Sequence, residues 1–165
     1  MNIDTAQYDI VIVGAGLVGA SLACAIAKQE SAEKLRIALV EASDETHSYV
    51  GQNFDPRVVA LTLASQKLLS EIGVWESIVG QRVCAYKDME VWDGEGTANI
   101  HFSASEVRQD YLGHIVENAV IMSALHRKIF TLKNIEIIRP LKVVALQSEE
   151  HVTIELSNGL AITTS

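Results

Sequence analysis

The stretch Tyr8–Ala20, YDIVIVGAGLVGA, constrains what this chain can fold into more than any other. Asp9-Ile10-Val11-Ile12-Val13 is a short β-branched apolar run, as expected of a strand covered on both faces. It leads directly into Gly14, Gly16 and Gly19, which fall on the G-x-G-x-x-G spacing. Gly14 permits a tight turn out of the strand. Gly16 has no Cβ, so a pyrophosphate can approach the backbone, and Gly19 lets the following helix pack closely on the strand. Ala15, Leu17 and Val18 complete this turn. The helix that starts here, predicted over Leu17–Gln29, aims free N–H groups and the positive end of its dipole at the phosphates. A second strand, Arg36–Val40, ends in Glu41. That acid lies about 20 residues beyond the last glycine, where such folds place the carboxylate that takes a ribose diol. A carboxylate there repels a 2′-phosphate, so the site suits FAD or NAD rather than NADP. The competing reading is an apolar βα unit whose glycines serve packing alone.

With 165 residues the chain can hold one domain with a real core. A formal net charge of -8 and the lack of a basic stripe exclude a nucleic-acid footprint. Cys24 and Cys84 match no metal or redox spacing, and Cys24 reads as a small core residue in the first helix. Nothing points to a disulfide scaffold, and a reducing cytosol is compatible. Ile10–Ala27 carries no charge, but it contains the patterned glycines, its flank is acidic, and no small-residue cleavage site follows. A buried strand-turn-helix therefore explains it better than a membrane span or signal peptide.

Met1–Gln7 reads as a frayed polar lead-in, and Ala42–Pro56 as a loop on the ligand side of the sheet. The loop ends in Asp55-Pro56-Arg57. The Arg57 guanidinium suits a phosphate or ribose oxygen, although spacing alone favours a surface salt bridge. Val58–Ile72 is predicted as an amphipathic helix, with Leu61, Leu68, Leu69 and Ile72 on one face and Gly73 just past its end. Val74–Ile78 adds a short turn or helix in which Trp75 is a core anchor. Tyr86–Asp93 and Ala98–Phe102 form a hairpin around Asp93-Gly94-Glu95-Gly96 that interrupts the βαβ rhythm. A polar loop, 103–111, leads to a strand, Leu112–Glu117. Asn118 is placed to cap the helix Ala119–Leu132. Strands follow at Ile135–Ile138 and Leu141–Leu146, then at Val152–Leu156 and Leu160–Thr164 around the turn Ser157-Asn158-Gly159. His101, His114, His126 and His151 share no metal spacing and read as structural or solvent-exposed. The sequence offers no side-chain nucleophile, no catalytic triad and no metal site, so any chemistry belongs to a cofactor.

Four segments, YDIVIVGAGLVGASLA, FDPRVVALTLASQKLLSEIGVW, YKDMEVWD and LGHIVENAVIMSAL, occur in this order and cover most of the chain. Together they make it resemble the N-terminal portion of a flavin-dependent aromatic hydroxylase of the p-hydroxybenzoate hydroxylase type, and within that type the ubiquinone-biosynthesis hydroxylases. The resemblance implies an α/β fold: a Rossmann-like FAD-binding βαβ domain carrying an inserted β-hairpin from a substrate-domain sheet. Residues 1–165 would be the N-terminal part of that domain, with 82–111 the insertion and the C-terminal substrate domain absent. Gly14, Ala15, Gly16, Leu17, Val18 and Gly19 would form the FAD pyrophosphate turn, and Glu41 would hold the adenosine ribose. Arg57 would lie against the flavin nucleotide. Asn118 would approach the ribityl chain, though a plain helix cap explains it equally well.

The implied chemistry is reduction of FAD by NAD(P)H, activation of dioxygen and hydroxylation of a polyprenylated phenol in ubiquinone synthesis. The implied setting is cytoplasmic, with peripheral contact at the inner membrane and with other ubiquinone-biosynthesis enzymes. Another FAD-dependent oxidoreductase of aromatic compounds and a non-catalytic nucleotide-binding module are the alternatives. In the family the next element is a strand leading to a G-A-D-G segment whose Asp contacts the flavin, whereas this chain stops at Ser165. The expectation is an open sheet edge, weak FAD retention and no hydroxylase turnover by this chain alone.

Overall fold

The computed structural model describes residues 6–44, 53–148 and 151–164. The chain begins with β1 (Ala6–Tyr8), β2 (Ile10–Val13), α1 (Leu17–Ala27), a 3-10 turn at Glu30–Ala32, and β3 (Ile37–Val40). Next come β4 (Val58–Thr62), α2 (Leu63–Glu71), α3 (Trp75–Val79), β5 (Cys84–Tyr86), β6 (Asp88–Trp92), β7 (Asn99–Ser103) and β8 (Gly113–Glu117). It ends with α4 (Asn118–Ile129), β9 (Ile135–Ile138), β10 (Val143–Ser148), β11 (Val152–Leu156) and β12 (Ala161–Thr164). Residues 1–48 with 122–165 form one compact unit, and 49–121 form another.

In the first unit β2, β3 and β9 make a parallel sheet in the order β2-β3-β9. The β-branched run of β2 lies beside β3, with Val11 opposite Ala38 and Val13 opposite Val40. All four residues of β3 are buried, which is why that strand reads as a continuous apolar run rather than an alternating one. α1 links β2 to β3 and buries Ala20, Ala23, Cys24 and Ala27, small residues at helical spacing that bring its axis close to the sheet. A second sheet, β1-β12-β11-β10, is antiparallel except for the β1–β12 pair. Ile154, Leu156 and Ile162 from this sheet pack with Tyr8, Ala38 and Val40 in one core. The hairpin expected around Ser157-Asn158-Gly159 is present, with Ile154 opposite Ile162. The lead-in differs from expectation. Ala6–Tyr8 is a strand because it pairs with β12, and Tyr8 anchors it by donating its hydroxyl to Glu136 Oε2 at 2.8 Å. Burial, together with that carboxylate, pushes the Tyr8 phenol up to about 12. Residues 1–5 and most of the loop predicted over 42–56 (45–52) lie outside the described residues.

The second unit holds the sheet β4-β8-β5, antiparallel throughout, and the separate pair β6-β7. Here the structure corrects two expectations. Val58–Thr62 is a strand, not the first turns of a helix, because it pairs along its length with β8, from Val58 opposite Glu117 to Thr62 opposite Gly113. The helix starts only at Leu63, where the Thr62 hydroxyl accepts the Ser65 N–H at 3.2 Å. Its end is as expected, since Gly73 has a φ of +78°, the left-handed conformation of a C′ glycine. The hairpin expected from Tyr86–Asp93 and Ala98–Phe102 is present as β6 and β7, and the correction concerns its start, because Tyr86 belongs to a separate strand, β5. β5 pairs with β8, and after Lys87 the chain pairs instead with β7, setting Met89 opposite Phe102 and Val91 opposite Ile100. Trp75 is buried, as expected of a core anchor, and so are Leu69, Ile72 and Ile78 of the same unit.

The two thiols sit in opposite environments. Cys24 is buried, and that burial pushes its thiol up to about 11, whereas Cys84 is exposed. Iodoacetamide on the native protein is expected to alkylate Cys84 and to reach Cys24 only after denaturation, read by peptide mass spectrometry. Equal labelling of both would contradict the packing of α1.

Candidate nucleotide-binding site

In the first unit the glycine turn forms as the spacing requires. Gly14 adopts a φ of +98°, which a side chain would strain, and its N–H donates to the Val40 carbonyl at 2.7 Å. Gly16 is the N-cap residue of α1, in extended conformation, and among the described residues no side chain caps this helix start; the Ala20 N–H closes the first intrahelical bond to Gly16 at 2.9 Å. A Cβ on Gly16 would meet nothing within 4 Å, so the backbone there is open to a ligand. A Cβ on Gly19 would collide with the Gly14 carbonyl, which shows how closely helix and turn are packed. Ala15 is buried within the turn, while Val18 projects outward with 82 % exposure.

Glu41 joins this turn. It follows β3, and its backbone is held on both sides: its N–H donates to Ile138 and its carbonyl accepts from Leu141, each at 2.9 Å. Its carboxylate accepts the Ala15 N–H on Oε2 at 2.7 Å and the Ser43 N–H on Oε1 at 2.8 Å. An ionised carboxylate only accepts, which is the chemistry that the donor hydroxyls of a ribose call for. His126, buried on α4, adds a contact from its Nε2 to the Ala15 carbonyl at 3.4 Å. An open glycine backbone, a helix start that no described side chain caps and a carboxylate beside them are parts that suit an adenine dinucleotide.

Arg57 and Asn118, the remaining expected residues, lie in the second unit and are brought together there. The Asn118 N–H donates to the Arg57 carbonyl at 2.8 Å. Among the described residues the exposed Arg57 side chain forms no ion pair. The expected cap by Asn118 is corrected. Asn118 is already the first residue of α4, and the cap comes from Asp55, whose Oδ2 accepts the Ala119 N–H at 3.1 Å. Asp55, Glu117 and Arg82 escape sequence reasoning because their partners are distant in the chain. The visible signal is Glu117 itself, an acid at the end of an otherwise apolar strand.

No family model matches the chain. Among curated proteins, it is 32% identical over 162 residues to the ubiquinone biosynthesis monooxygenase COQ6 of Dictyostelium discoideum, covering 93% of this chain and 33% of that protein. It is 37% identical over 123 residues to the Homo sapiens COQ6, covering 74% of this chain and 26% of the relative. It is 30% identical over 155 residues to 3-demethoxyubiquinol 3-hydroxylase of Escherichia coli, covering 93% and 38%. The chain thus spans about a third of the length of the curated relatives it matches. Among solved structures, p-nitrophenol 4-monooxygenase from Pseudomonas putida aligns with a TM-score of 0.71 at 21% identity, over 97% of this chain and 40% of that one. The flavin-dependent monooxygenase PieE, solved with FAD and substrate, aligns with a TM-score of 0.70 at 13% identity, over 96% and 29%. These two likenesses show a shared fold. In sequence, over that third of their length, this chain is similar to the ubiquinone biosynthesis monooxygenase COQ6 and to 3-demethoxyubiquinol 3-hydroxylase, and in fold it is similar to solved monooxygenases.

Proposed function

We propose that this chain is the FAD-binding part of a monooxygenase that hydroxylates a polyprenylated phenol in ubiquinone biosynthesis, with NAD(P)H as electron donor and dioxygen as co-substrate. The observation that carries the FAD reading is the clasp between Glu41 and the Ala15 N–H, which sets a carboxylate against a glycine turn whose helix start no described side chain caps. The ubiquinone part rests on the kinship with COQ6 and with 3-demethoxyubiquinol 3-hydroxylase. FAD, when bound, supplies the redox and oxygen-activating chemistry. The chain's own residues bind and orient it. The turn from Gly14 to Gly19 takes the pyrophosphate, Glu41 the adenosine ribose, and Arg57 and Asn118 the flavin end. In this reading residues 82–111 belong to a substrate-facing layer. A lipid-tailed substrate brings the protein to a membrane surface, and no helix among the described residues is long and apolar enough to cross one.

The test is a comparison of flavins. FAD carries the adenosine ribose that Glu41 is proposed to hold, and FMN lacks it. Titration followed by flavin fluorescence is expected to show FAD binding at least about tenfold tighter than FMN, a difference of about 1.4 kcal/mol. Glu41→Ala is expected to remove that preference. Equal affinity for the two flavins, or no binding of either, would overturn the assignment.

A further inference from the structure

In residues 49–121 a chain of charged groups ends on Arg57. The Arg82 guanidinium lies 4.0 Å over the centroid of the Phe54 ring, and its Nε is 3.1 Å from Glu117 Oε1. The Glu117 side chain is only 6% exposed, and its second oxygen accepts the Asp55 N–H at 2.7 Å. Asp55 then uses both carboxylate oxygens. Oδ1 accepts the Arg57 N–H at 2.9 Å, and Oδ2 accepts the Ala119 N–H in the first turn of α4 at 3.1 Å. The Arg57 carbonyl accepts from Asn118, and the next residue, Val58, lies opposite Glu117 in the sheet. The N–H and C=O of Arg57 are therefore both held, which fixes the direction in which its exposed side chain leaves the backbone.

A buried carboxylate is costly, and a well-packed apolar side chain often stabilises a fold as well. Stability alone therefore does not account for Glu117. We propose that Asp55 and Glu117 are positioning residues for Arg57, and that the Asp55 carboxylate staples the Asp55–Arg57 corner to the start of α4 so that the guanidinium meets the cofactor in one orientation. The cofactor half of this statement rests on the FAD reading given above.

Two measurements on the full chain test it. Without ligand, Asp55→Ala is expected to speed amide hydrogen exchange at Arg57 and Ala119 by about tenfold or more, the scale of losing a hydrogen bond to a charged group, while β9 and β11 stay protected. With FAD, Asp55→Ala is expected to weaken affinity by about tenfold in the wild-type background and to have no further effect in Arg57→Ala, because it acts through that residue. A contribution of Asp55 independent of Arg57 would give additive losses. Asp55→Asn, which keeps one accepting oxygen, is expected to restore part of both readouts, and Glu117→Gln to fall between wild type and Asp55→Ala. If Asp55→Ala does not fold, Asp55→Asn is judged by the same two comparisons. Unchanged exchange at Arg57, or additive FAD losses, overturns the proposal. If wild type binds no FAD, the FAD reading falls, and the exchange result alone decides whether Asp55 fixes Arg57.

Discussion

Gly19→Val is expected to destabilise or unfold the chain, whereas Gly16→Val is expected to leave the fold standing and weaken FAD binding about 100-fold or more. The two glycines lie three residues apart and belong to one motif, yet their surroundings are opposite. A Cβ on Gly19 would fall on the Gly14 carbonyl and lie 3.3 Å from Ile12 Cγ2. The first obstacle is backbone, and Gly14 is itself tied to Val40, so the turn cannot move aside without breaking the β2–β3 contact. Overpacking of this kind costs about 1–3 kcal/mol, and valine adds two further methyl groups. In a chain of this length that lowers the melting temperature by roughly 5–10 °C or unfolds the protein outright. A Cβ on Gly16 meets nothing within 4 Å, so the apo fold tolerates the substitution. The volume the side chain enters is the one that the proposed function gives to the pyrophosphate. Thermal melts paired with FAD titration decide the matter. Gly16→Val should melt within a few degrees of wild type and lose affinity by about 100-fold or more. Wild-type FAD affinity in Gly16→Val would move the cofactor elsewhere, and a wild-type melt for Gly19→Val would contradict the close approach of α1 to the turn.

The glycine turn was legible in the sequence because everything that defines it is local. The β-branched run, the three glycines and the acid after the second strand are read within about forty residues, and each has a steric or hydrogen-bonding reason. The strand Val58–Thr62 was not legible for the converse reason. Leu61, Leu68, Leu69 and Ile72 repeat at helical spacing, and five residues are too few to show alternation. What makes them a strand is the pairing with Gly113–Glu117, more than fifty positions away. Asn118 follows the same logic. By composition it is a good cap, but Asp55, folded back across the unit, supplies the carboxylate that caps α4. The break between β5 and β6 also depends on a distant partner, since β8 claims β5 while β6 keeps its local hairpin with β7. Local chemistry named the residues of the glycine turn. The groups that hold Arg57 depend on contacts no window of sequence contains.

Trp75→Ala is expected to destabilise the protein by about 3–5 kcal/mol and to flatten its response to acid. Trp75 is 7% exposed, and its ring meets that of His114 edge-on, with centroids 5.0 Å apart. Tyr111 meets His114 in the same manner at 4.5 Å. Enclosed by these rings, the imidazole has a buried Nδ1 that finds no hydrogen-bond partner among the described residues, and burial holds its pKa below the usual 6.5. The native state therefore keeps His114 neutral where the unfolded chain already takes up a proton. Between the lowered native value and 6.5 the unfolded state binds more protons, so stability rises with pH across that window. The contribution is complete above 6.5 and is lost as the pH falls through it toward the native value. Removing Trp75 deletes the apolar contact and admits water to the imidazole, which returns its pKa toward normal and closes the window. His114→Phe isolates the titration, because it keeps an aromatic ring and removes the proton site. The melting temperature of wild type minus that of His114→Phe, taken at about pH 7.5 and again at about pH 5.5, is expected to shift against wild type at the lower pH. An identical difference at both would mean that the imidazole is solvated in the folded protein. The large loss in Trp75→Ala would then be packing alone.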